Sequence, residues 1–421
     1  MNKTVIFTAL LLVAMFVGRA QNLMDNYQSG TVKLVPESSY AQDNDWNQVF
    51  RSYNDKMYGR HIGKRKYIVV LPDESVIVSH AYTNYYTLFD KNGKFVREFG
   101  LKNSSGQRLK SIRPIAGVLN SNTLYTQADN MGKIHFCDLN GNIKRTITIN
   151  FGVDKILPLP NSKLLVSGFS VGKTSKDVVA IYDYKNSTQK IIWSHVQEKL
   201  STGNNSALFY YKAQLDNGSI ISFDLDPASS ISPKVQIAVV NGKIVVADPY
   251  KNWVNIYATD GSQVGCKDIT FGKKTMSVEE QKKIMREHIA RFKDAETQAA
   301  NMHISVAEYN KVMKDVIQKM ESDLSKISTP LTLPVFSTVI QDSDGNLLFF
   351  EIPEDEGDNQ FNVWIYQDGG TFVCKSHFVC DKYDLVINPD KMVFHNGYIY
   401  SAQELKGASG IPMRLVKFQL Q

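Results

Sequence analysis

The chain has 421 residues, 43% of them hydrophobic and 21% charged, with a formal net charge of +6. That length and apolar content allow a sizeable core. The charge excess is mild, and it falls to +4 if Lys3 and Arg19 leave with a leader, so nothing in it argues for nucleic acid.

Residues 1–20 read as a secretory signal peptide. Lys3 supplies the basic start and VIFTALLLVAMFV (5–17) the apolar segment. Gly18 and Ala20 are the small residues ahead of cleavage near Ala20. The apolar run is too short to span a bilayer, no later stretch is long enough, and no Cys at the cut offers a lipid anchor. The expected product is periplasmic or secreted, with no integral membrane segment.

Residues 21–421 read as one all-β domain. The lead-in, 21–65, is polar and irregular and holds one strand candidate, TVKLV (31–35). Paired hairpins then recur. The first repeat, about 66–100, turns at Asp73-Glu74 and Asn92-Gly93. The second, about 111–150, turns at Asn120–Asn122 and Asn140-Gly141. The third, about 152–195, turns at Pro160–Ser162 and Asn186-Ser187. The fourth, about 234–271, turns at Asn241-Gly242 and Asp260-Gly261, and the fifth, about 334–380, at Asp344-Gly345 and Asp368-Gly369. The sixth, about 383–421, turns at Asn396-Gly397 and stops after three strands.

A four-stranded unit of this size cannot bury both faces alone, so several must stack, which predicts a β-propeller. Six blades are expected, with an inserted α-helical hairpin. Seven is the alternative, because ALFYYKAQLDNGSIISFD (207–224) forms an extra hairpin turning at Asn217-Gly218. The strand near 31–35 would complete the sixth blade and leave the ring without an open edge.

Residues 275–329 break the β pattern. Ser277 with Glu280, and Ser305 with Glu308, form two capping boxes. Val278, Met285, Ile289, Phe292 and Ala299 follow helical spacing, and so do Val306, Tyr309, Met313, Val316, Met320, Leu324 and Ile327. The two stripes are expected to pack on each other and on the propeller. A lid or an oligomer contact is the sharper alternative.

The phrase IVVADPYKNWVNIYATDGS (244–262) resembles a blade of the NHL-repeat propellers: strand, Ala-Asp, polar loop, strand, Asp-Gly turn. KFVREFGLKNSSGQRLKSIRPI (94–115) is similar to the blade-to-blade passage of the six-bladed, NHL-repeat or TolB-like propellers exported by Bacteroidetes. The resemblance covers about residues 66–421, excluding the helical insertion and the stretch 200–232. It implies the fold and no activity, since these relatives share none.

In such a ring the tight Asp-Gly and Asn-Gly turns gather on one face and the longer connections on the other, where function concentrates. Candidate ligand-binding residues on the long-loop face are His80, Tyr82, Asp129, Asp248, Tyr250, Lys251, Trp253, Glu351 and Gln403. Aromatics beside amides and mixed charges suit a glycan, a peptide or a protein partner. No catalytic set emerges. GFSVGKTS (168–175) is one residue short of a phosphate loop, EIPEDEGDN (351–359) lacks calcium-loop spacing, and DSDGN (342–346) occupies a turn where Asp and Gly serve geometry. The eight His form no HExxH or close pair, so no metal and no cofactor is expected. The four cysteines show no CxxC, and Cys374 and Cys380 sit roughly 20 Å apart along one strand, so buried free thiols are expected.

Three functions remain open at this point. The leading one is a non-enzymatic exported module that binds a partner on its long-loop face. The others are a metal-dependent sugar-lactone hydrolase or lyase with its site near the axis, and a structural protein that forms homo-oligomers through the helical hairpin.

Overall fold

Leu347, Leu348, Phe349 and Phe350 are consecutive and all buried. Side chains alternate along a strand, so Leu347 and Phe349 enter one apolar cluster, while Leu348 and Phe350 enter another on the far side of the sheet. The same division recurs at 244–247, where Val245 and Ala247 face one way and Ile244 and Val246 the other. Sheets with two buried faces must be stacked, and the computed structural model shows how. It describes residues 23–54, 66–80, 85–109, 114–128, 132–170, 176–196, 209–225, 234–269, 275–352, 360–385 and 392–421.

Sheet 1 comprises Lys66–Val70, Val76–His80, Tyr86–Phe89 and Phe95–Phe99. Sheet 2 is Ile115–Asn120, Thr123–Thr126, Lys133–Cys137 and Ile143–Thr148, and sheet 3 is Gly152–Leu159, Lys163–Ser170, Lys176–Asp183 and Thr188–Val196. Sheet 4 is Gln236–Val240, Lys243–Ala247, Trp253–Ala258 and Gln263–Asp268. Sheet 5 is Thr338–Gln341, Leu347–Phe350, Gln360–Gln367 and Thr371–Val379. Sheet 6 has Met392–His395, Tyr398–Leu405 and Met413–Leu420, with Tyr383–Asp384 also pairing to Tyr398–Leu405. Every pairing within these sheets is antiparallel and, apart from that of Tyr383–Asp384, joins neighbours in the chain.

The first strands of sheets 1 to 5 adjoin in succession, and the first strand of sheet 6 adjoins that of sheet 1. Apolar clusters fill each junction in the same cyclic order, from sheets 1 and 2 round to sheets 6 and 1. The arrangement is propeller-like.

The N-terminal segment crosses the junction of sheets 5 and 6. Helix α1 (Leu23–Gln28) precedes strand Thr31–Pro36. Thr31–Lys33 run parallel to 377–379 at the edge of sheet 5, and Leu34–Pro36 then run antiparallel to 418–420 of sheet 6. One strand thus joins both sheets into nine strands. Its fit comes from the alternation of TVKLV, which buries Val32 and Leu34 beside Phe378 and Phe418. Helix α2 (Trp46–Val49), capped by the Asp45 side chain, then lays Val49 and Phe50 over sheets 6 and 1.

Two local devices repeat. Aspartates two residues before a glycine-bearing turn hold it closed: Asp90 Oδ1 accepts from Asn92 N and Lys94 N, and Asp138 Oδ1 accepts from Asn140 N and Asn142 N. Asp342 Oδ1 does the same for Asp344 N and Asn346 N, so DSDGN is a turn whose carboxylate is already occupied. The outer strands of sheets 1 to 5 also share a bulge, which leaves Val96, Lys144, Ile192, Val264 and Val373 without a partner residue. Such a bulge raises the local twist, and its recurrence identifies the five sheets as copies of one unit.

The insertion contains three helices rather than a hairpin of two. Helix α3 (Val278–Lys293) begins with the expected Ser277–Glu280 capping box. Asp294 interrupts the stripe and caps α4 (Ala295–Met302), and α5 (Val306–Asp323) starts at Ser305. Their apolar faces meet one another and the extra hairpin, Phe209–Gln214 with Ile220–Leu225. Phe223 meets Phe292 edge-on at 5.1 Å, and Tyr211 donates to Asp323. The hairpin therefore shares its apolar core with the helical module. Thr275–Met276 pairs with Leu331–Thr332 at the base of the module, where buried Gln281 donates to Met276 O and Thr329 O.

All four cysteines are free thiols. Cys137 and Cys380 are buried and Cys374 is half-buried, but Cys266 lies exposed on the outer strand of sheet 4. The expectation of buried thiols fails there because that strand has no sheet outside it.

Candidate cleft between sheets 3 and 4

The ladder of sheet 3 places Gly152, Phe169, Asp177 and His195 in one row across its long-loop end. Lys155, Ser167, Val179 and Trp193 form the row below. Paired residues point to the same side of a sheet. Leu165, Val179 and Ile181 pack toward sheet 4, which fixes the side that both rows face.

The inner end of the cleft is built by a bulge. Val153 pairs with Gly168 and Lys155 with Ser167, so Asp154 is left out of the ladder. A bulge re-aims its extra side chain. The Asp154 carboxylate forms an ion pair with Lys234, on the segment leading into sheet 4, while its carbonyl accepts from Gln127 Nε2 of sheet 2 at 3.2 Å. Burial pushes the Asp154 carboxyl up, and the Lys234 ammonium brings it only part of the way back. Lys234 Nζ also sits 5.3 Å from the Phe169 ring centroid, and Lys155 Nζ donates to Ile237 O at 3.2 Å. Two glycines allow this packing: a Cβ on Gly152 would meet the Phe169 ring at 2.6 Å, and one on Gly168 would lie 1.9 Å from Gly152 O. Below Phe169, the Ser167 hydroxyl is fully buried and makes no hydrogen bond.

The outer end is built by the connection after Lys243–Ala247. Asp248 is 7% exposed, and its Oδ1 accepts from Tyr250 N at 3.0 Å while its carbonyl accepts from Lys251 N. The turn projects Tyr250, 47% exposed, and ends at Trp253, 41% exposed. Lys251 Nζ lies 5.6 Å from the Trp253 ring centroid. The second Asp248 oxygen, Oδ2, faces His195 Nδ1 of sheet 3 at 3.9 Å.

Of the residues expected to form a site, Asp248, Tyr250, Lys251 and Trp253 are brought together here. Tyr82 and Asp129 lie outside the described residues, and of His80 only the backbone, at the end of its strand, is described. Glu351 and Gln403 are elsewhere and committed. Glu351 accepts from Trp364 Nε1 at 2.5 Å and Asn362 Nδ2 at 3.1 Å, and pairs with Lys375 at 3.0 Å. Gln403 is 1% exposed and donates to Ser401 Oγ. Asp154, Lys234, Ser167 and His195 were not singled out from sequence. The available signal was Asp154-Lys155 interrupting the apolar strand FGVDKILPL (151–159).

Among the described residues, no three His, Cys, Asp or Glu side chains converge on a point that would hold a metal. No helix among them is long and apolar enough to cross a membrane.

The ring of stacked sheets makes this a propeller-like β protein. No family model and no curated protein matches its sequence. Among solved structures it is similar to a DUF4221 family member from Bacteroides vulgatus, at 8% identity and TM-score 0.47, over 93% of this chain and 98% of that one. It is also similar to a putative exported protein from Bacteroides fragilis, at 10% identity and TM-score 0.44, over 84% and 89% of the two chains. A third is virginiamycin B lyase from Staphylococcus aureus, at 11% identity and TM-score 0.35, over 85% and 94%.

Proposed function

We propose that the chain is an exported, six-bladed β-propeller of the NHL-repeat or TolB-like kind. Its role is to bind a partner (glycan, peptide or protein) in the long-loop cleft between sheets 3 and 4. Sheets 1 to 6 serve as the blades, and Thr31–Pro36 closes the ring. The signal peptide expected at 1–20 lies outside the described residues and directs export; N-terminal sequencing of the protein recovered outside the cytoplasm tests it.

One observation carries the binding role. Two exposed aromatics, Tyr250 and Trp253, lie on the same turn as Asp248, which faces His195 of sheet 3, and the Asp154–Lys234 ion pair joins the same two sheets. Exposed aromatics beside convergent polar groups are the usual make-up of a recognition surface. A thermal-shift screen against glycans and peptides tests the role: a ligand raises the melting temperature by binding only the folded state. Trp253→Ala and Lys234→Ala are expected to abolish the shift. A ligand whose shift survives both changes binds elsewhere and defeats the proposal.

A further inference from the structure

Three outer strands of the ring bond, on their open side, to another part of the chain. In sheet 1 the lead-in lies along the last turn and strand: Ala41 N donates to Asn92 O, Asn44 Nδ2 to Gly93 O, and Phe95 N to Asn44 Oδ1. In sheet 2 the chain leaving sheet 1 is added at Lys102, which bridges Asn142 in parallel and accepts from Ile143 N. In sheet 5 Thr31–Lys33 run beside 377–379, and His377 N donates to Gly30 O. Among the described residues, no backbone group of Thr188–Val196 in sheet 3 or of Gln263–Asp268 in sheet 4 bonds outside its own sheet.

Length and charge separate these two edges. The outer strands of sheets 1, 2 and 4 have five or six residues, and those of sheets 3 and 5 have nine. In sheet 5 the extra length is used: Thr31 pairs with His377, four positions past the bulge at Val373. The bulge of sheet 3 is at Ile192, so the equivalent of His377 is Val196. By that register the N–H and C=O of Val196, and of Ser194 two positions earlier, point away from the sheet. Open backbone groups of this kind are a template for a further strand. From Ile191 to Val196 there is no Lys, Arg, Asp or Glu, and Ile191 and Val196 are 54% and 44% exposed. The edge of sheet 4 ends instead in Lys267-Asp268, and charge is what natural edges use to discourage pairing.

We propose that the outer edge of sheet 3, at Ser194–Val196, takes an extended peptide segment of a partner protein as a further strand. Sheet 5 provides the precedent: its edge accepts TVKLV, in which apolar Val32 and Leu34 alternate with Thr31 and Lys33. An apolar, β-branched residue is favoured opposite exposed Val196. A second copy of this chain is a poorer occupant. Two bulged, strongly twisted edges match over only a few residues, whereas a single segment can follow the stretch past the bulge as Thr31–Lys33 do. Affinity comes from main-chain hydrogen bonds, and no covalent bond is made or broken. The site is the strand edge and not the Tyr250–Trp253 turn, so it does not rest on the binding role proposed for the cleft.

The test measures binding of a fluorescein-labelled peptide, SGTVKLVPE (residues 29–37), to the full mature chain by anisotropy, with the same peptide carrying Val32→Pro as control. A benzophenone on the peptide reports the contact by cross-linking and mass spectrometry. The unmodified peptide is expected to bind saturably and to cross-link within 188–196, and the control is not. In the protein, Val196→Pro removes an outward N–H that the sheet's own ladder does not use. It is expected to weaken binding at least about tenfold. Val196→Lys keeps the N–H, sets a charge on the edge at an exposed position, and should weaken binding too even if the proline variant fails to fold.

Binding that survives both changes and cross-links to 377–379 or 418–420 means that the peptide displaces the chain's own strand, and it overturns the proposal. Binding that survives both but is lost in Trp253→Ala places the peptide in the cleft; it overturns the edge and spares the cleft reading. A dimer in sedimentation that Val196→Lys abolishes assigns the edge to a second copy and overturns the peptide. Absence of binding up to about 1 mM peptide also overturns the proposal, and it leaves the cleft to its own ligand screen.

Discussion

Tyr27 in helix α1 donates its hydroxyl to Asp342 Oδ2 at 3.0 Å, across 315 positions of sequence. The Tyr27 ring is fully buried and stacked on Phe378 at 6.0 Å, and its carbonyl accepts from Ser376 Oγ. Asp342 in turn closes the first turn of sheet 5. Burial pushes its carboxyl up, against the donors Asn346 and Tyr27. The start of the chain is thus tied to a turn as well as to two strands. Tyr27→Phe removes one of the donors of a buried carboxylate and is expected to cost about 1–3 kcal/mol. Tyr27→Ala also opens a cavity and should cost about 3–5 kcal/mol. Urea unfolding measures both. Deletion of residues 21–36 should lower the melting temperature; an unchanged value would refute closure by this strand.

Asp323 makes the helical module sensitive to acid. Burial alone would raise its carboxyl, but Lys326, Lys319 and the Tyr211 hydroxyl outweigh that and hold it below the usual carboxylate value. A depressed folded pKa means that the unfolded chain binds the proton first as pH falls. The stabilisation is therefore complete above the unfolded value, about 3.9, and is lost as pH falls through the folded one. Circular dichroism melts of the wild type should show this loss of helix stability below about pH 4. Asp323→Asn, which cannot titrate, should be less stable at neutral pH and lack that part of the acid dependence. Parallel pH profiles for the two proteins would refute the assignment.

Glu308 shows how a local signal can be redirected by tertiary structure. Ser305 Oγ accepts from Glu308 N as a capping box requires, but the Glu308 carboxylate accepts from Asp216 N at 3.0 Å. Lys311 pairs with the Asp216 side chain at 2.8 Å, so the hairpin tip is held by the first two turns of α5. Glu308→Ala should speed hydrogen exchange at the Asp216 amide by about tenfold or more. Exchange in sheets 1 to 6 should be unaffected. Uniform acceleration would mean that the contact supports the whole fold.

The same contrast governs what could be read from sequence. Turns were legible because Asn-Gly and Asp-Gly answer a local requirement: Gly93, Gly141 and Gly261 all have positive φ. The Ser277–Glu280 cap and both helical stripes were legible for the same reason. What the stripes pack against was not, because Tyr211 and Phe223 are apolar in any setting. The shared outer-strand bulge is silent, since Val96, Ile192, Val264 and Val373 are β-branched residues that suit any strand position, and Lys144 departs even from that. In the cleft, Trp253 and Asp248 stood out within their own loop. His195 and Lys234 gained meaning only when register set sheet 3 against sheet 4.

Two glycines separate close packing from open space. A Cβ on Gly168 would lie 1.9 Å from Gly152 O and 3.0 Å from Val153 Cα, both backbone, so no side-chain rotation can relieve it. The inner two strands of sheet 3 would have to part at the bulge that presents Asp154, and Phe169 would shift with them. Gly168→Ala is expected to cost at least about 1–3 kcal/mol, as overpacking does. It should also weaken ligand binding in the cleft at temperatures where the variant remains folded. Gly265, in the outer strand of sheet 4, has nothing within 4 Å of the same built atom and no left-handed φ. Gly265→Ala restricts the unfolded chain without a clash and should be neutral or stabilising by up to about 1 kcal/mol. Urea midpoints for the two variants check the pair. Equal effects would mean that the close approach of Gly152 and Gly168 does not constrain the sheet, and would remove the geometric basis for the bulge.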